Sequence, residues 1–173
     1  MGAAYGEGAA MIDRAKAEEF LFREALLLDR RDWDAWLALY AEDAVFWIPA
    51  WRDEVSPTED PDRELSLIYY RGRRNLEERV WRIRSGLSVA SAVLPRSVHS
   101  VTNVLVERAD DSVAQVSASF AVHLNDVRAS REHVFFGRYE YVLHKSDGRL
   151  LIASKKILLL NDTIPAVLDF YLV

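Results

Sequence analysis

The feature that most constrains the fold of this chain is the change of pattern within residues 32–51, DWDAWLALYAEDAVFWIPAW. Its first half carries aromatic residues at helical spacing behind Asp32, which suits an N-cap. Its second half, residues 44–48, is β-branched and aromatic and ends at Pro49, which cannot continue the ladder of an interior strand. A short helix must therefore fold back on a strand. The pattern predicts a core seeded by five large side chains: Trp33, Trp36, Tyr40, Phe46 and Trp47.

Helical and strand patterns continue on both sides of this stretch. Residues 11–29 place apolar groups on one helical face, and Glu24 falls on that same face. Residues 65–70 form a short apolar and aromatic run, which is typical of a strand. Residues 76–87 repeat apolar side chains at helical spacing, with charged side chains on the opposite face. The N-terminal half therefore predicts three helices and two strands.

In the C-terminal half the hydrophobic period changes to two. Every even position in residues 113–124 is apolar, and the odd positions are mostly polar. This alternation predicts a strand with one buried face. Phe120 and Val122 should both be buried, and Ser119 and His123 should point away from them.

Turn signals separate the strands of this half. Residues 110–111 and 147–148 stand where hairpins should turn, and the Asp-Gly pair of the second suits a type I′ turn. Gly137 lies inside a strand, where it indicates a bulge or a bend. Pro165 suits the first turn of a short closing helix over residues 165–171.

The order of these elements predicts an α+β fold in one domain. We expect a strongly curved, mostly antiparallel sheet of about six strands, with about three N-terminal helices on its concave side. A length of 173 residues is within the usual size of a single domain. Residues 11–173 should form this domain, and residues 1–10, rich in Ala and Gly, should form a flexible tail.

Composition excludes several functions. The net charge of -5 argues against nucleic acid or an anionic membrane as a partner, because both are bound chiefly by clustered Lys and Arg. The absence of cysteine excludes disulfides, a thiolate nucleophile and any cysteine-bound zinc or iron–sulfur cluster in this chain. The tail has no apolar segment of the length that a signal peptide or anchor needs. We therefore expect a cytoplasmic protein.

The four histidines do not predict a metal site. A mononuclear iron site of the facial-triad type needs two histidines and one carboxylate together. His99 and His123 are expected on the polar or mixed faces of strands. His133 and His144 are assigned to the face opposite the aromatic side chains of their strand. We expect each to be a surface or hydrogen-bonded group, with no metal or cofactor bound by this chain.

Several segments, in the same order, resemble the small (beta) subunit of aromatic-ring-hydroxylating dioxygenases. The resemblance covers nearly the whole chain from about residue 18 and is greatest to the benzoate and anthranilate type, judged mainly by residues 46–51 (FWIPAW) and 58–61 (TEDP). The other matching segments are residues 20–25, 33–49, 64–70, 76–83, 95–96, 155–157 and 161–162, together with His99 and Asn103.

The resemblance implies a fold and a role. The fold is the cone of the nuclear transport factor 2-like (cystatin-like) group. The role is that of a beta subunit in an α3β3 hexamer, where beta subunits form a homotrimeric base and the large (alpha) subunit is the catalyst. The large subunit is expected to hold a Rieske [2Fe–2S] cluster and a mononuclear iron, supplied with electrons from NADH by a reductase.

An alternative role is a free-standing isomerase or dehydratase of the same cone fold. Tyr40, Asp43 and His99 could line the interior, where related enzymes place a general acid and base. Alternatively, Asp43 caps a turn, Tyr40 belongs to the core and His99 forms local hydrogen bonds. We favour a cone filled by side chains, because the seed aromatics have the bulk to fill it.

Aromatic and basic residues near the second strand and the third helix suggest a subunit interface. Trp, Tyr and Arg dominate the contact energies of protein interfaces. The predicted interface residues are Trp51, Tyr69, Tyr70, Arg79 and Arg82.

Overall fold

The computed structural model of the chain describes residues 11–86, 93–165 and 167–173. The predicted tail at residues 1–10 and Leu87, the last residue of the third predicted helix, lie outside the described residues. The elements, in chain order, are helix α1 (Arg14–Arg30), helix α2 (Trp33–Leu37), strand β1 (Tyr40–Pro49), strand β2 (Ser66–Arg71), helix α3 (Arg73–Arg84), strand β3 (Arg96–Ala109), strand β4 (Val113–Asp126), strand β5 (Arg131–Ser146), strand β6 (Arg149–Leu159) and a single 3-10 turn (Phe170–Leu172).

The six strands of the described residues form one sheet in the order β2-β1-β6-β5-β4-β3. Neighbouring strands run antiparallel except β1 and β6, which pair in parallel. The sheet is curved and does not close on itself, and the helices pack with it over one hydrophobic core. The predicted α+β fold, with its mostly antiparallel sheet and three helices, is confirmed.

The change from helix to strand occurs earlier than the sequence pattern suggests. Asp32 caps α2 as expected, by accepting a hydrogen bond from the backbone N–H of Ala35 (3.3 Å). Strand β1 then begins at Tyr40, before the predicted start at residue 44. The reason is its pairing with β6, where the N–H of Ile152 donates to the carbonyl of Leu39 (2.7 Å). A partner strand far along the chain thus extends β1 into residues that have helical spacing.

The predicted register of β4 is confirmed. Phe120 and Val122 are both buried in the core, while Ser119 is half-buried and His123 is exposed. This places every second side chain of the strand on the face that packs against the helices. The Asp-Gly turn between β5 and β6 has positive φ at both residues, as a type I′ turn requires.

One of the five predicted core aromatics is placed differently in the structure. Trp47 is half-buried rather than in the core, because Phe46 beside it points inward and consecutive strand residues point to opposite faces. Its indole N–H instead donates to the hydroxyl of Ser66 (2.9 Å). The other four seed aromatics are buried as expected.

The closing helix predicted from Pro165 is also absent from the described residues, which show only the 3-10 turn Phe170–Leu172 there. The segment is fixed by side chains instead. Asp169 accepts from the N–H of Phe170 (2.9 Å) and forms an ion pair with Arg79 of α3. The ring of Phe170 stacks on Trp36 with centroids 4.5 Å apart. The C-terminal segment thus docks into the core through a single 3-10 turn.

Gly137 allows two strands to approach closely and does not form a bulge. The β4–β5 register is continuous through it, and the irregularity of β5 against β6 lies at residues 142–143. A Cβ at this position would lie 2.0 Å from the carbonyl oxygen of Leu158 and 3.0 Å from the ring of Phe120. Only glycine therefore fits here.

We predict that Gly137→Ala destabilises the fold by about 1–3 kcal/mol or more, because the backbone of β6 has to move. Thermal unfolding should show this as a drop of about 2–4 °C for each kcal/mol. Ser154→Ala, on the neighbouring strand, is the control and should stay within about 0.5 kcal/mol of wild type. An unchanged melting temperature in Gly137→Ala would contradict the close contact.

Candidate functional site

The interior of the cone contains a buried ion pair rather than an empty pocket. The carboxylate of Glu24 lies 2.9 Å from the ammonium of Lys155, and both side chains are almost fully inaccessible. The hydroxyl of Tyr40 donates to Oε1 of Glu24 and that of Tyr141 to Oε2, each at 2.7 Å. The indole N–H of Trp36 donates to the same carboxylate at 3.4 Å. We call these five residues the Glu24 cluster.

Five elements position this cluster. Glu24 lies on the apolar face of α1, and Trp36 comes from α2. Tyr40 begins β1, while Tyr141 and Lys155 are direct partners across β5 and β6. The sequence pattern assigned Glu24 to the packed face but gave it no partner. The signal was a charged residue on an apolar face, since such a group is rarely buried unless it is paired.

Burial and pairing act in opposite directions on the pKa of each member of the pair. Burial raises the pKa of Glu24, but the ammonium of Lys155 and hydrogen bonds from Tyr141 and Tyr40 outweigh it, so the pKa lies below its ordinary value of 4.5. Burial lowers the pKa of Lys155, and the attraction of Glu24 opposes this. Burial and the negative charge of Glu24 raise the pKa of both tyrosines well above the ordinary value. The carboxylate, the ammonium, the two hydroxyls and the indole N–H are thus hydrogen-bonded within the cluster.

A second polar contact joins the end of α1 to β3. Nδ1 of His99 lies 2.7 Å from Oδ1 of Asp29, which also accepts from the backbone N–H of His99 and the hydroxyl of Ser97. Burial raises the pKa of Asp29, but these hydrogen bonds outweigh it and lower the pKa. The His99 side chain is buried. His99 is thus hydrogen-bonded to a carboxylate 70 residues earlier in the chain rather than to a near neighbour.

The structure does not bring Tyr40, Asp43 and His99 together as an acid–base site. Tyr40 donates to Glu24, and His99 is paired with Asp29. Asp43 is exposed and lines a cavity of about 380 Å³ that includes Tyr40 but not His99. A general acid and base must both lie within hydrogen-bond reach of one substrate, and these three residues do not share a cavity.

The described residues contain no cluster of three or more His, Asp or Glu side chains that could hold a metal ion. One histidine differs from the prediction, because His133 lies on the same face of β5 as Phe135, with ring centroids 4.5 Å apart. Both have odd numbers in a strand of period two, so the predicted opposite face was wrong.

Within the described part of the chain, every helix is too short or too polar to cross a membrane.

Four of the five predicted interface residues are half-buried and bind within the chain. The indole N–H of Trp51 donates to the carbonyl of Leu159 (2.8 Å), Tyr70 stacks on Phe46, and Arg79 pairs with Asp169. The hydroxyl of Tyr69 accepts hydrogen bonds from Arg71. The fifth, Arg82, is exposed.

Comparison with known proteins identifies the family. Residues 23–166 match the family described as "Ring hydroxylating beta subunit". The chain is 44% identical to the 2-halobenzoate 1,2-dioxygenase small subunit of Burkholderia cepacia, over 88% of this chain and 91% of that protein. It is 39% identical to the benzoate 1,2-dioxygenase subunit beta of Acinetobacter baylyi, over 94% of this chain and 96% of that protein.

A solved structure agrees with these relatives. The beta subunit of the benzoate 1,2-dioxygenase from Burkholderia mallei has a TM-score of 0.78 and 36% identity, over 93% of this chain and 97% of that chain. The chain therefore belongs to the family of ring-hydroxylating beta subunits. It is a beta subunit of an aromatic-ring-hydroxylating dioxygenase with the nuclear transport factor 2-like fold. The free-standing isomerase or dehydratase is the less supported alternative.

We predict that Glu24→Gln destabilises the isolated chain by about 3–5 kcal/mol, because it leaves the charge of Lys155 buried without a counter-ion. Urea unfolding measures this change. The control is Glu140→Gln in the neighbouring pair Glu140–Lys156, which is 3.2 Å apart and partly exposed. That change should cost no more than about 1 kcal/mol. Equal effects of the two substitutions would contradict the assigned role of the buried pair.

The difference between wild type and Glu24→Gln should also depend on pH. Because the pKa of Glu24 is lower in the folded chain than its ordinary value of 4.5, the ionised carboxylate stabilises the fold above that pH. This stabilisation is lost as the pH falls through the folded-state pKa, and the variant never has it. Urea unfolding measured from neutral to acid pH should therefore show the free energies of unfolding of wild type and Glu24→Gln becoming equal as the pH falls.

Proposed function

We propose that this chain is the non-catalytic assembly subunit of a cytoplasmic dioxygenase that degrades aromatic compounds. It forms a homotrimer, which binds three large subunits in an α3β3 hexamer. The large subunit holds the Rieske cluster and the mononuclear iron, and a reductase supplies electrons from NADH. The names of the relatives, 2-halobenzoate and benzoate dioxygenases, support a benzoate-type acid as the ring substrate.

The Glu24 cluster is the observation that carries this proposal. An enzyme of this fold needs an open interior with an acid and a base that can reach a substrate. Here the carboxylate, the ammonium and two hydroxyls of the interior bind one another instead. An interior occupied in this way suits a subunit that holds its own shape and presents its surface to partners.

Exposed apolar side chains support the assembly. Strand β2 lies at an edge of the sheet, where unpaired backbone groups need cover. Leu65 and Leu67 are 79% and 40% exposed there, beside the predicted interface residue Tyr69. We call these three residues the β2 edge surface. On α3, Trp81 is 61% exposed, next to the predicted interface residue Arg82. Apolar surface of this kind marks contacts between proteins.

The non-catalytic role predicts that Asp43→Asn and His99→Ala leave turnover in the assembled hexamer nearly unchanged. Asp43 is exposed, so its change should also leave stability unaltered. His99→Ala removes a buried partner of Asp29 and should destabilise the chain by about 1–3 kcal/mol. The measurement is turnover per bound iron in purified hexamers.

Dividing turnover by the amount of bound iron separates an effect on catalysis from an effect on hexamer assembly. A variant that assembles poorly loses yield but keeps turnover per iron. Abolished turnover in intact hexamers with full iron content, from either substitution, would contradict the non-catalytic role.

The proposed interface predicts that Leu65→Arg with Leu67→Arg prevents assembly, because two charges enter the β2 edge surface. Light scattering should show a monomer where wild type is a trimer, and co-purification with the large subunit should fail.

The matched control places the same charges on the opposite edge of the sheet. Val98→Arg with Leu105→Arg changes two residues of β3 that are 58% and 55% exposed. This variant should assemble like wild type. Loss of assembly from the β3 variant alone would move the interface to that edge and refute the β2 assignment.

A further inference from the structure

An apolar cavity lies between the β4–β5 hairpin and the C-terminal segment. It has a volume of about 300 Å³, and its walls include Leu124 and Phe135 from the sheet and Tyr171 and Leu172 from the C-terminus. We call it the hairpin cavity. The volume is at the lower end of the range for ligand pockets, and aromatic walls favour a flat apolar ligand. One single-ring compound fits this description.

A histidine in the wall of the hairpin cavity has a buried ring nitrogen without a partner among the described residues. His133 lines the cavity, and its Nε2 is buried without a hydrogen bond to any described residue. A buried polar atom in this state costs free energy, so each one needs an explanation, such as a bound water or ligand. The edge contact of the ring with Phe135 holds the imidazole in place. Nε2 is therefore an unpartnered hydrogen-bonding group on a side chain that is held in the wall of the cavity.

The charges at the rim indicate the sign of the ligand. Arg131 lines the cavity, and the one hydrogen bond of its side chain to the described residues is a long one, 3.5 Å, to the carbonyl of Pro165. Asp126 also lines it, but its Oδ1 already accepts from the backbone N–H groups of Arg128 and Ala129, at 3.0 Å each. The guanidinium therefore has donor capacity left for a ligand. A guanidinium beside an imidazole donor suits a carboxylate.

We propose that the hairpin cavity binds a monocyclic aromatic carboxylate. Its ring packs against Phe135 and Leu124, and its carboxylate accepts a hydrogen bond from Nε2 of His133 and faces Arg131. This is the chemical class that appears in the relatives' names, but the site belongs to this chain and does not depend on the hexamer. A ligand that binds only the folded chain stabilises it. The beta subunit would then be more stable when ring acids are present.

The test is calorimetric titration of the purified full chain with sodium benzoate, in the absence of the large subunit. Wild type should bind one benzoate per chain. His133→Phe keeps a ring of similar size but removes Nε2, and should weaken binding about tenfold. The matched control is His123→Phe on the exposed side of β4, which should bind within about twofold of wild type.

A second variant and a second probe keep the test independent of the folding of His133→Phe. Arg131→Gln changes an exposed side chain and should weaken benzoate several-fold. Binding of benzyl alcohol, which has no charge, should be unaffected by Arg131→Gln.

Absence of saturable benzoate binding to folded wild type would overturn the proposal, since water alone would then satisfy His133. Benzoate binding that both His133→Phe and Arg131→Gln leave unchanged would overturn it as well, because the ligand would be bound elsewhere.

Discussion

The buried pair of Glu24 and Lys155 is the interaction on which the rest of this structure depends. A carboxylate and an ammonium cannot be buried in an apolar interior unless each neutralises the other and further hydrogen bonds complete their shells. Tyr40 and Tyr141 complete the shell of the carboxylate, and the ammonium lies 4.3 Å from the ring centre of Tyr139. Helix α1 can therefore dock on the sheet in one position only, with its single buried charge over β6.

Two other pairs of polar side chains hold elements together at the edges of the core. Asp29 and His99 hold the end of α1 to β3, and Arg79 and Asp169 hold α3 to the C-terminal segment. Each pair fixes a junction that apolar packing alone leaves free to slide, because hydrophobic contacts have no direction. The side chains of these pairs are bound to one another in this way, whereas Nε2 of His99 and Nε2 of His133 are buried without a partner among the described residues. With the Glu24 cluster filling the centre of the cone, the large subunit is left to bind the surface of the chain, as expected of a subunit whose role is assembly.

The sequence predicted the sheet better than the polar interior. The period of two placed Phe120 and Val122 correctly, because alternation depends only on neighbouring residues. Glu24 was assigned to the right helical face, but its partner Lys155 is 131 residues away. Only the order of the strands brings the two together, and local pattern carries no information about that order. The same limit explains why the sequence pattern placed Tyr40 on the helix, whereas in the structure Tyr40 begins β1 and pairs with β6.

The most direct test of this account is turnover per bound iron in hexamers that carry Glu24→Gln with Lys155→Met. Glutamine accepts a hydrogen bond from one tyrosine through its carbonyl oxygen and donates one to the other through its amide N–H, and methionine removes the buried charge. A pair that is only structural can therefore be replaced by neutral groups. The account predicts hexamers that assemble with turnover per iron within roughly twofold of wild type. Fully assembled, iron-loaded hexamers without activity would show that the interior of this subunit takes part in the chemistry, and would contradict it.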